Sequence, residues 1–138
     1  MQFLTRVGAR GVQIYECRAT GSNATPAWAF VAPEADLFDR DNRKVGTHGA
    51  GPFWQAHDGS RIVGQVAGRV DAPVAGAIDW LLLKTKNVGP EGRYSRVGTI
   101  QRINTVGGMA PSKGCAKATL GVTARIEYTA DYNLYTAR

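Results

Sequence analysis

The chain is poor in the residues and spacings by which most metalloproteins, nucleotide-binding enzymes and nucleic-acid binders are recognised. It has two histidines, His48 and His57, and two cysteines, Cys17 and Cys115, with no CxxC, HxH or HExxH among them. Zinc-finger and thioredoxin-like readings therefore fail on spacing. No GxGxxG joins a strand to a helix, which removes the β/α unit that holds a dinucleotide pyrophosphate. The apolar run Trp80–Leu83 is far short of the roughly 20 residues a membrane helix needs. Helical periodicity is absent over any useful window, and so are internal repeats. The start, Met1–Gly11, holds two arginines and no apolar h-region, so it is no signal peptide.

What is present describes a soluble all-β domain. Hydrophobic residues are 43% and charged ones 20%, too apolar for disorder and ordinary for a globular protein. The formal charge of +6 invites a nucleic-acid partner, but the 12 arginines and 5 lysines are scattered along the whole length without a tract that would track phosphates. A solvated basic surface is the economical reading. Residues 122–134 alternate strictly, with apolar or aromatic side chains at the even positions. That pattern is a long strand with one wet face, burying Val122, Ile126, Tyr128, Tyr132 and Leu134.

Residues 61–70 alternate in the same way, placing Ile62, Val66 and Val70 inward, with Gly64 and Gly68 marking close packing or curvature. Further strands are expected at 11–17, 27–32, 44–48, 53–56, 80–86 and 94–105, with turns at 39–43 and Asp58-Gly59. Residues 77–79 could add a helical turn. The sum is one domain over residues 1–138, an antiparallel β-barrel or β-sandwich of about eight or nine strands.

Few residues offer chemistry. His48 and His57 flank a turn-rich segment, and with Asp58 or another carboxylate they would make a transition-metal site, the alternative to a cofactor-free protein. Ser60, Ser95 and Ser112 lie in no nucleophile elbow. The cluster Gln101, Arg102, Asn104 and Thr105 is more suggestive, because whichever face of its strand turns inward carries hydrogen-bonding groups that must be paired. Arg102 could pair with Glu34 or Asp36 and Asn104 order a turn, or both could meet a ligand. The two cysteines, 98 positions apart, are either a bridge or two buried thiols.

Two segments carry a family resemblance: Val45-Gly46-Thr47-His48 with Gly51-Pro52-Phe53-Trp54, and Gln101-Arg102-Ile103-Asn104-Thr105. They resemble the GTH and QRxNT signatures of an uncharacterised domain-of-unknown-function family of bacteria and fungi, usually found behind a secretion signal. The likeness extends to residues 11–17, 28–35 and 80–83. Some fungal members carry a malate dehydrogenase label, which the absence of a dinucleotide-binding pattern excludes here.

The resemblance implies a secreted or periplasmic protein, with Met1 in place of a removed leader, and it favours a Cys17–Cys115 disulfide. Trp80–Leu83 with Val97-Gly98 onward is also similar to a hairpin of avidin-like barrels, an architectural likeness only. The expected function is binding of a small molecule or glycan by His48, Trp54, Gln101, Arg102 and Asn104, with Trp28 adding stacking surface. A metal-dependent enzyme using His48 and His57 and a self-assembling structural protein are the alternatives. A homo-oligomer is compatible with the sequence.

Overall fold

Strands this numerous, joined by short Gly- and Asx-containing turns, pair with their sequence neighbours. In the computed structural model, which describes residues 1–137, eight strands do so in seven successive pairs. The order is β1 (Gln2–Thr20), β2 (Thr25–Phe38), β3 (Lys44–Gly49), β4 (Phe53–Ala56), β5 (Arg61–Val70), β6 (Trp80–Asn87), β7 (Val97–Gly107) and β8 (Thr123–Thr136). Each is antiparallel to the next, and β8 returns to β1, from Gln2 opposite Thr136 to Glu16 opposite Thr123, closing the barrel. Closure settles barrel against sandwich. Eight strands leave an interior just wide enough for side chains or one small ligand.

The alternation in β8 holds from Ile126 to Tyr132, with Tyr128, Ala130, Tyr132 and Leu134 buried; Asn133 is buried as well, Ile126 is only half-buried, and Val122 is exposed because it precedes the strand in the β7–β8 loop. In β5, Ile62 is fully buried, whereas Val66 and Val70 are exposed: the strand runs past the filled core, and a bulge between Val66 and Gly68 shifts its register. Strand β1 starts at Gln2, nine residues before the expected position, because the Gly- and Arg-rich start pairs with β8 regardless of its weak β-propensity. Residues 77–79 form no helical turn; Ala77 bridges to Gly108 instead. The single 3₁₀ turn among the described residues is Lys117–Thr119.

The two ends of the barrel differ. Turns at 39–43, 57–60 and 88–96 gather at one end with Gln2 and Thr136, and there the interior is packed with Val7, Leu37, Ile62, Val97, Ile100 and Leu134. Tyr94, 1% exposed, closes that end. Its amide donates to Ser60 Oγ at 3.0 Å, and the Asp58 carboxylate accepts from Ser60 and from the Arg93 amide. These bonds, the Ser60 hydroxyl first, hold the Asp58 carboxyl down to about 2.

The opposite end carries the connections at 21–24, 50–52, 71–79 and 108–122 and is open. Cys17 and Cys115 are disulfide-bonded, tying the β7–β8 loop to the wall of β1. No described helix is long and apolar enough to cross a membrane. The outer wall carries ion pairs such as Arg6–Asp131, Lys44–Asp36 and Arg125–Glu34, where a membrane barrel would present an apolar band.

Candidate functional site

The open half of the barrel encloses a cavity of about 550 Å³. Inward positions of β1 and β2 supply Gln13, Tyr15 and Phe30; β3 and β4 supply His48 and Trp54; β6, β7 and β8 supply Leu81, Leu83, Arg102 and Tyr132. The floor is aromatic. His48 stacks on Trp54 with ring centroids 4.5 Å apart, and Tyr132 abuts both, its centroid 5.1 Å from His48 and 5.5 Å from Trp54. Gly64 makes this stack possible: a Cβ there would lie 2.8 Å from the Trp54 ring.

The hydrogen bonds of His48 fix its tautomer. Its Nδ1 lies 2.7 Å from the Phe53 carbonyl, which can only accept, so Nδ1 carries the proton. Nε2 must then accept from the Tyr132 hydroxyl at 3.3 Å, and the Tyr132 oxygen is left to accept from Tyr128 at 3.5 Å. Burial lowers the His48 pKa to about 4, with the Arg102 charge adding to the fall and the Phe53 carbonyl opposing it. His48 is therefore neutral at ordinary pH, and both its nitrogens are engaged. Burial likewise pushes the Tyr15 and Tyr128 hydroxyls up, so both remain protonated donors.

Arg102 does not pair with Glu34 or Asp36, which face Arg125 and Lys44 on the outer wall. Its Nε and Nη2 donate to the Asp79 carbonyl at 2.9 and 2.7 Å. Three residues on, Thr105 Oγ1 donates to the Ile78 carbonyl at 2.6 Å. Together they clamp residues 78–79 against β7, and that segment becomes part of the cavity wall. The Asp79 carboxylate is matched by Arg69 at 3.1 Å.

Of the five residues expected to contact a ligand, His48, Trp54 and Arg102 line the one cavity, while Gln101 and Asn104 do not. Gln101 faces outward, where Asn133 Nδ2 donates to its Oε1 at 3.1 Å. Asn104 adopts φ 53° within a bulge of β7, and its amide donates to Asp131 at 2.9 Å beside an outer groove. Simple alternation would put Asn104 on the face of Arg102; the extra residue of the bulge turns Thr105 inward and Asn104 out.

Trp28 is also absent from the cavity; its Nε1 donates to the Lys113 carbonyl at 2.9 Å, bracing the disulfide loop. His57 is exposed and lines a separate hollow at the closed end with Asp58 and Arg93. The two histidines are not brought together, and no three His, Cys, Asp or Glu side chains among the described residues form a metal cluster.

Two buried polar atoms in the cavity wall have no partner among the described residues: Trp54 Nε1 and Gln13 Oε1. Burying such groups unpaired costs roughly 1–3 kcal/mol each. Gln13, Tyr15 and Phe30 were not singled out in the sequence, although the parity of Cys17 in β1, whose thiol must reach the loop, marks Gln13 and Tyr15 as inward. A model of one family matches residues 1–136. The chain belongs to the family described as Protein of unknown function (DUF3455). No curated protein and no solved structure matches it.

Proposed function

We propose that this domain is an extracytoplasmic binding protein that holds one small molecule in the open end of its barrel. The observation that carries the reading is the asymmetry of the interior: one half is packed and sealed by Tyr94, the other holds a cavity of about 550 Å³ with unpartnered polar atoms on Gln13 and Trp54. That volume lies within the ~300–1,000 Å³ of pockets that enclose drug-sized ligands. His48, Trp54 and Arg102 are the signature residues assigned to it.

The largely apolar wall favours a compact organic molecule over a glycan, whose many hydroxyls would need more partners than Gln13, Trp54 and Arg102 supply. A binding role is favoured over catalysis because the cavity's imidazole has both nitrogens in bonds to Phe53 and Tyr132 and presents no lone pair to a substrate. The Cys17–Cys115 disulfide supports an oxidising compartment.

A thermal-shift screen of small organic molecules and oligosaccharides tests this. A ligand at about 100 times its Kd should add roughly 2.7 kcal/mol of stability, and Trp54→Ala should abolish the shift. A screen in which only oligosaccharides stabilise the protein would replace the small-molecule reading with the glycan one.

A further inference from the structure

The electrostatics of the cavity are unbalanced. Its wall contains two guanidinium groups, Arg69 and Arg102, and one carboxylate, Asp79. Arg69 takes the carboxylate. Arg102 receives only the Asp79 backbone carbonyl, and among the described residues it forms no ion pair and its Nη1 makes no hydrogen bond. Its charge reaches the floor, where it adds to the burial that keeps His48 neutral. Arg102 is half-buried, so an anion entering the cavity would gain a charge-assisted hydrogen bond there without displacing another carboxylate.

The remaining surfaces describe the rest of the guest. Tyr15 and Phe30 meet edge to face at 5.7 Å on one wall, and the Trp54, His48 and Tyr132 stack forms the floor. Aromatic walls of this kind favour a flat ring, through offset or edge contacts, over a flexible alkyl chain that would lose rotamer freedom on entry.

From these features we infer that the ligand is an aromatic carboxylate, its ring lying among Tyr15, Phe30 and Trp54 and its acid group on the free edge of Arg102. This rests on the small-molecule reading above. The inward face of Arg102 then has two roles: its Nε side holds the wall, and its Nη1 side meets the guest. Arg is suited to both, because its planar fork presents donors on two edges.

Calorimetric titration of the full chain with naphthoate, its neutral isostere naphthamide, and straight-chain octanoate tests the inference. Naphthoate is expected to bind about tenfold or more tightly than naphthamide, and more tightly than octanoate. In Arg102→Gln the acid and the amide should bind alike, whereas Arg102→Lys should retain part of the preference. Because Arg102 also clamps Asp79, a second measurement spares the fold: raising salt to about 300 mM should weaken naphthoate on the unaltered protein and leave naphthamide unchanged. If the amide binds as tightly as the acid, the anion inference falls while the cavity remains a binding site. If octanoate matches naphthoate, the aromatic requirement falls. If none of the three binds and the wider screen also yields no ligand, both this inference and the reading beneath it are overturned.

Discussion

His48 sits between a carbonyl that can only accept and a hydroxyl free to donate, and this arrangement has a pH signature. Unfolded, an imidazole takes up its proton near 6.5; in the barrel burial holds that back to about 4. Between those values the unfolded chain binds more protons, so stability is full above about 6.5 and falls as pH drops toward 4, by about 3 kcal/mol in total. Urea melts across this range should show the loss, and His48→Gln should flatten it. The carboxylate of Asp58, also lowered, to about 2, gives its own stabilisation up between about 4 and 2, a separate and more acidic window. A pH profile that stays level from 7 to 4 in the unaltered protein would contradict the neutral, buried state of His48.

Among the strands, glycine separates two kinds of position that look alike in the sequence. Gly64 and Gly68 are both in β5, and both fall between inward aliphatics in the alternating pattern. A Cβ at Gly64 would lie 2.8 Å from the Trp54 ring and 3.3 Å from Leu83, whereas one at Gly68 meets nothing closer than Leu82 at 3.9 Å. Gly64→Ala should therefore destabilise by about 1–3 kcal/mol, and Gly68→Ala should change stability by no more than about 0.5 kcal/mol. Chemical denaturation of the two variants measures both. The strands themselves were legible: alternation located β8 and β5, because burial on one face forces period two, and the Asp, Asn and Gly residues at 39–43 and 58–59 located the hairpin turns. Their bulges were not. The extra residues near Ile103–Val106 and Val66–Gly68 leave no mark on the hydrophobic pattern, and they decided whether Asn104 reached the cavity and how far inward β5 continued. The same limit hid the division of labour within the signatures, where His48 lies on the floor, Arg102 and Thr105 hold a wall, and Gln101 stays outside.

At the scale of the whole molecule, the barrel couples a rigid packed half to an open half that depends on one covalent tie. The disulfide spans 98 positions, a loop long enough that the chain-entropy account assigns it roughly 4–5 kcal/mol. The double variant Cys17→Ala/Cys115→Ala should lose about that amount in urea unfolding, with the transition still two-state. The barrel itself should form without the bridge, since β1 and β8 pair along most of their length independently of it. The loop it secures is the same one that Trp28 braces through Lys113, so both fastenings of the mouth lie on one side of it.

The pairing of Gln2 with Thr136 places the two ends of the sheet side by side, about 5 Å apart, at the end sealed by Tyr94. A connector of a few residues would bridge them without strain, and new ends could be opened in the exposed turn at 39–43, on the same side of the molecule. Such a circularly permuted chain, or one tethered to a support through either end, would keep its mouth facing outward with every wall of the cavity uncut. Opening the chain at 71–79 instead would sever the very segment that Arg102 and Thr105 hold in place.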